Sequence, residues 1–184
     1  MAVMQFFYDY ECPYCKTGYE YLLAQIKNHP EIEIEWRPVE AHPLPEDHPP
    51  HTYLACQSFY IAQELGADMP AFHAAMYKAI SIERQNVEDT DVLCNILKGI
   101  VDTEKFLTIL KSGKYAAQID ENNDLAYEKS GVWFVPAFRM NGKKLDAKGG
   151  IGITPEELSN FLQCSKLPQQ NMTKTLISAY YLKQ

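Results

Sequence analysis

A short apolar run, Val3 to Tyr8, leads into Cys12-Pro13-Tyr14-Cys15, and a helical pattern begins at once. That pattern runs from about Pro13 to Lys27, with Tyr19, Leu22, Leu23 and Ile26 at helical spacing, until His29-Pro30 closes it. Glu31 to Trp36 then alternates polar and apolar residues, the two-residue period of a strand with one solvated face. Strand, cysteine pair, helix and strand make a βαβ unit with the two thiols at the first strand-to-helix handover.

Thiol–disulfide exchange needs an attacking thiolate and a second thiol close enough to resolve the mixed disulfide. Cys12 at a helix start meets unpaired backbone N–H groups and the positive end of the helix dipole, which favour the thiolate. Cys15 lies one turn further in, shielded and within reach of Cys12. Pro13 suits the first helical turn because its missing N–H is not needed there. Half of a zinc site and a purely structural pair are the competing readings. Zinc needs two further ligands at matched spacing, and Cys56, Cys94 and Cys164 supply no second pair. No metal is therefore expected.

Between Pro38 and His51 lie five prolines and three histidines (His42, His48, His51), which reads as a rigid polar loop; a metal site among the histidines is the weaker reading. From Thr52 to Lys129 the pattern is helical. Leu54, Ile61 and Leu65 share one face, Phe72, Met76 and Ile80 another, and Leu93, Ile96, Leu97 and Ile100 a third. Gly66, Gly99 and Ser112-Gly113 mark helix ends. Strand character returns over Val132 to Met140, Asn141-Gly142 signals a hairpin, and Lys143 to Leu145 is the returning strand. A proline at 136 inside strand-forming residues points to a special position or a cis bond. Thr154-Pro155-Glu156-Glu157 opens a last helix with a capping box. The tail after Pro168 shows weak helical character.

Taken together, these residues resemble the DsbA-like branch of the thioredoxin superfamily. The resemblance rests on strand, Cys12-Pro13-Tyr14-Cys15, helix, strand, a helical insertion, then Gly131 to Phe138 and Asn141-Gly142, and covers roughly residues 3–163. The cytosolic FrnE-like oxidoreductases are the most similar subgroup. A bare glutaredoxin domain also carries this tetrapeptide, but 121 residues separate Cys15 from Pro136, far too many for that domain. The resemblance implies an α/β, thioredoxin-like fold with an all-helical insertion. One domain spans 1–184, with its core at 1–40 and 130–164 and the insertion at 52–129. It further implies that Cys12 is the nucleophile and Cys15 the resolving thiol. Val135, before a cis Pro136, seats substrate beside the disulfide, with Tyr14 sharing that surface. Tyr14 stands where secreted DsbA enzymes usually have histidine. A related group of glutathione-dependent transferases and 2-hydroxychromene-2-carboxylate isomerases typically has serine for the first cysteine, whereas this chain has both.

The expected function is a thiol–disulfide oxidoreductase acting on protein thiols or glutathione with no dissociable cofactor. A glutathione-dependent transferase or isomerase on the same fold and a non-catalytic binding module are the alternatives. Seventeen basic against 24 acidic residues, a net charge of −7, disfavour a nucleic-acid partner. No run approaches 18 consecutive apolar residues, so no transmembrane helix is expected. The start lacks a basic, apolar, small-residue leader, so a cytoplasmic address is expected. Asp9 and Glu11 flank the motif and are read as a solvated rim, with assistance in proton transfer to Cys15 as the sharper alternative. Cys56 and Cys94 sit among apolar helical neighbours and read as inert thiols.

Overall fold

The computed structural model describes residues 1–43 and 45–166; the expectation for the tail after Pro168 lies outside them. Strand β1 (Ala2–Tyr8) pairs in parallel with β2 (Ile32–Pro38), from Ala2 opposite Ile32 to Tyr8 opposite Pro38. Helix α1 (Pro13–Ile26) is the crossover between them. On its other side β1 runs antiparallel to β3 (Ala137–Met140), which pairs with β4 (Lys143–Asp146) through the Asn141-Gly142 turn. Both turn residues take positive φ, 51° and 74°, as a two-residue hairpin requires. The sheet order is β2-β1-β3-β4. β1 is therefore interior to the sheet; its second half, Phe6, Phe7 and Tyr8, is fully buried, whereas its first half alternates, with Ala2 and Met4 buried and Val3 exposed. Phe6 stacks on Phe138 across the β1–β3 pair, with ring centroids 4.6 Å apart.

Between β2 and β3 come helices α2 (Tyr53–Glu64), α3 (Met69–Tyr77), α4 (Thr90–Ile96), α5 (Thr103–Lys111) and α6 (Ala116–Asp124). The apolar faces read from the sequence point inward: Phe72, Met76, Ile80, Leu93 and Leu97 are fully buried. Asp68, Asp89 and Asp102 cap α3, α4 and α5 by accepting backbone N–H bonds, so part of the acidity is spent on helix starts. Two of these helices loosen into π-helical turns, α3 into Lys78–Ile82 and α6 into Leu125–Lys129. Helix α7 (Pro155–Leu162) packs beside α1, and its capping box at Thr154 and Glu157 is formed in both directions.

The structure differs from the sequence expectation in one segment that matters. Strand β3 begins at Ala137, not Val132. Gly131 takes a positive φ of 59°, Pro136 has no N–H to offer a ladder, and the Val135–Pro136 peptide is cis. The segment is an irregular approach to the strand, and it is tied down from behind. The Arg139 guanidinium ion-pairs with Asp146 at 2.7 Å and donates to the carbonyls of Ser130 and Gly131.

That approach runs against α1 at Gly18. A methyl group on Gly18 would meet Pro136 Cγ at 2.9 Å, too close for an ordinary contact. Alanine normally stabilises an unconstrained helix interior by about 1 kcal/mol over glycine. Gly18→Ala reverses that sign, with about 1–3 kcal/mol lost to overpacking. Denaturant midpoints of Gly18→Ala and the wild type read the difference.

Candidate active site

Cys12 is the residue before the first turn of α1, with extended backbone (φ −79°, ψ 113°) and no side chain capping the helix. Its sulfur therefore sits where the helix leaves its first N–H groups unpaired. Cys15 follows one turn later; its N–H donates to the Cys12 carbonyl at 3.0 Å, and its side chain is fully buried. The Cys12 thiol also faces the Val135 carbonyl at 3.5 Å. The structure thus brings Cys12, Cys15, Val135 and Pro136 to one place.

The two thiols differ in acidity. The Cys15 thiol, hydrogen-bonded to the Cys12 sulfur, does most to hold Cys12 below the ordinary thiol range. Burial opposes this, and the backbone N–H groups of Cys15 and Tyr14 add to it. The sequence pointed to the helix terminus alone; the buried partner thiol contributes more. Cys15 is pushed well above the ordinary value, first by burial and then by its bond to Cys12. One sulfur therefore ionises more readily than an ordinary thiol and the other holds its proton.

Asp9 is not a solvated rim. It is 1% exposed, and its carboxylate accepts the Glu11 N–H at 3.1 Å and the Ala41 N–H at 2.6 Å, pinning the end of β1 to the residues after β2. Its own N–H donates to Cys15 Sγ at 3.4 Å. Burial raises the Asp9 carboxyl, and these N–H bonds partly offset it. Glu11 lies largely buried next to Cys12 in the chain, its carboxylate 3.5 Å from His42 Nε2.

Cys12 opens onto a cavity of about 400 Å³. Glu11, Tyr14 and Val135 line one part, and His42, His48 and the Pro49-Pro50 corner bring the proline-rich loop to another wall. Tyr14 is held by Gly152, which has a positive φ of 79° and no room for a side chain: a Cβ there would lie 2.9 Å from the Tyr14 ring. Sequence reasoning missed several lining residues. Arg84, at a positive φ of 56°, follows the first π-helical turn, and Tyr127 lies within the second. π-Helical turns are often found at functional sites. Trp133 and Phe134, taken for strand residues, are 83% and 47% exposed on the cavity wall. The signal for them was two large aromatics directly before Val135-Pro136; Arg84 carried none.

His42 stacks on His48 with ring centroids 3.9 Å apart and bonds Glu46 through Nδ1. Among the described residues no three His, Cys, Asp or Glu side chains are grouped as metal ligands. No helix among them is long and apolar enough to cross a membrane. Cys56, Cys94 and Cys164 are free thiols, in α2, in α4 and just after α7.

Behind Asp9, Glu40 is 4% exposed, its Oε1 has no hydrogen-bond partner among the described residues, and burial pushes its carboxyl up to about 7. A carboxyl raised in the folded state stabilises that state fully below its ordinary value near 4.5 and loses this contribution as pH rises through about 7. The Glu40 contribution to stability therefore falls between about pH 4.5 and 7. Glu40→Gln flattens part of that slope in denaturation midpoints measured across the range.

At the thiols, pH-dependent alkylation of the reduced protein gives a fast phase on Cys12 with an apparent pKa below the free-thiol value of about 8.5, absent in Cys12→Ser. Cys15 and Cys56, both raised by burial, react only on unfolding.

Comparison with known proteins agrees with this architecture. The family model described as DSBA-like thioredoxin domain matches residues 3–158. The crystal structure of DsbA from Pseudomonas aeruginosa superposes with a TM-score of 0.65 at 22% identity, covering 88% of this chain and 80% of that one. A probable DsbA oxidoreductase from Streptomyces coelicolor gives 0.74 at 16% identity, covering 90% of each chain. Oxidised BdbD from Bacillus subtilis gives 0.65 at 16%, covering 89% and 86%. At these identities the structural likenesses speak for the fold. No curated protein sequence matches.

Proposed function

Because the chain belongs to the DSBA-like thioredoxin domain family, we propose that it is a thiol–disulfide oxidoreductase whose redox centre is the Cys12–Cys15 pair. The observation that carries this is the division of labour between the sulfurs. Cys12, lowered in pKa, opens onto the cavity, and Cys15, raised in pKa, is buried one turn further along the helix.

In the reducing direction, the Cys12 thiolate attacks one sulfur of a substrate disulfide, a new Cys12–substrate bond forms, and the other substrate sulfur leaves with the electron pair. The Val135 carbonyl beside Cys12 and the Tyr14 ring border the place where the substrate chain lies. Cys15 then gives up its proton and attacks Cys12, forming the Cys12–Cys15 disulfide and releasing the second substrate thiolate. Asp9, raised by burial and near enough for its charge to act on the Cys15 thiol, is the carboxyl assigned to receive that proton in this reading. The same steps run backward when the protein donates its disulfide.

Protein thiols and glutathione are both partners in this reading. A cavity of about 400 Å³ lies within the usual range for small-molecule sites, which supports a low-molecular-weight thiol. The exposed Trp133 and Phe134 on its wall favour an apolar side chain of a polypeptide. A cytoplasmic address is part of the proposal, supported by a cysteine set that lacks the paired spacing of a disulfide framework.

The decisive comparison is between two variants purified without reductant. Cys15→Ser keeps the attacking sulfur and loses the resolving one, so it accumulates a mixed disulfide on Cys12, seen by mass spectrometry as a glutathione or protein adduct. Cys12→Ser carries no adduct at position 15, and neither variant turns over. Adducts on Cys15 in the Cys12→Ser protein reverse the two roles. Saturable glutathione binding by a wild type without dithiol turnover selects the transferase or isomerase reading, and no redox chemistry at all selects the binding module.

A further inference from the structure

Glu11 is the cavity-lining acid that the exchange steps above leave without a role. It directly precedes Cys12, and both residues line the cavity where a substrate disulfide has to enter. Only 11% of its side chain is exposed. Each neighbouring element turns a charged or titratable group towards it. Asp9 lies behind it at the end of β1, Cys12 follows it, His42 faces it from the proline-rich loop, and Arg84 faces it from beyond the first π-helical turn. His42 links this buried acid to the outside: Nε2 is 3.5 Å from Glu11, Nδ1 is 3.0 Å from the more exposed Glu46, and the ring stacks on His48.

We propose that Glu11 is the general acid of the first exchange step, protonating the substrate sulfur that leaves when Cys12 attacks, and that His42 is the positioning residue that returns its proton. This rests on the oxidoreductase reading above. The Cys12 thiolate forms a bond to one substrate sulfur and is oxidised to the mixed disulfide. The substrate S–S bond breaks, and the departing sulfur takes the electron pair and is reduced. The Glu11 carboxyl gives it a proton, so a neutral thiol leaves and a carboxylate remains. Glu11 recovers a proton from solvent through His42.

The chemistry asks for an acid here. An alkyl thiolate is a basic leaving group, and the cavity in which it forms is walled in part by Trp133, Phe134 and the Pro49-Pro50 corner. A proton arriving as the S–S bond breaks removes the charge from that enclosed space. Burial, with the Asp9 charge adding to it, pushes the Glu11 carboxyl up to about 7, so it still holds a proton near neutral pH, while His42 and Arg84 pull the other way. A donor of about that acidity has the right driving force towards an alkyl thiolate.

The test compares two neutral disulfides that differ in the basicity of the sulfur they release, in single turnovers of the reduced protein between pH 5.5 and 9. Bis(hydroxyethyl) disulfide releases a basic alkyl thiolate and gains from a proton; dithiodipyridine releases a weakly basic thiolate and gains little. In the wild type, the rate with the alkyl disulfide, corrected for the measured Cys12 thiolate fraction, falls as pH rises through about 7. Glu11→Gln abolishes that fall and lowers the alkyl-to-aryl rate ratio by roughly a hundredfold, the low end of general-acid contributions. Because the ratio is taken within each variant, a misfolded fraction cancels. In His42→Asn the fall moves to higher pH, since a cation that favours the Glu11 carboxylate has been removed. Equal losses with both disulfides, or no change in the ratio, overturn the role of Glu11 while leaving the oxidoreductase reading intact. A wild type inert towards both disulfides overturns that reading and this one with it.

Discussion

The corner at Val135–Pro136 lies against the first turns of α1 with no slack, and the organisation of the cysteine end depends on that contact. Pro136 fills the space that a side chain on Gly18 would take. The same corner presents the Val135 carbonyl to Cys12. Arg139, itself 8% exposed, holds the segment from behind by joining the Ser130 and Gly131 carbonyls to Asp146. A guanidinium suits this task because its planar fork serves several acceptors at once. A loop thereby acquires the rigidity of the sheet it borders.

Burial does different work at neighbouring groups of this site. It raises both the Cys15 thiol and the Asp9 carboxyl, the latter against the pull of the N–H groups its oxygens accept from. At Cys12 the same desolvation is outweighed by a thiol donor from Cys15 and two backbone N–H groups. Sulfurs one helical turn apart thus end with opposite tendencies. The difference comes from which side of the helix start each one faces, since the residue type is the same.

The helical insertion does more than cover the sheet. Ser81, in the first π-helical turn, donates to the Tyr10 carbonyl at 2.7 Å and ties that turn to the segment leading into Cys12. Tyr127, in the second, hydrogen-bonds the Glu40 carbonyl beyond the end of β2. Both ends of the βα unit are thereby fastened to the insertion, and the turns that fasten them also bring Arg84 and Tyr127 to the cavity.

The order of elements was legible in the residues because it depends on short-range rules. The apolar run of β1, the helical period after Pro13, the Asn141-Gly142 turn and the Thr154 to Glu157 capping box each depend on residues a few positions apart. The cysteine pair was legible for the same reason: its two members lie one helical turn apart. What surrounds the pair was not. Asp9 read as a solvated rim because its burial comes from residues after β2 and from the insertion, far away in the chain. Val132 to Pro136 read as strand because its composition favours strands, yet Arg139, Asp146 and Gly18 decide its path. Trp133, Phe134 and Arg84 reach the cavity wall only through how separate segments dock. Local spacing determined where the thiols stand on the chain. Packing between distant segments decided their acidities and the walls of the cavity they face, because desolvation depends on every atom that comes near, whatever its place in the sequence.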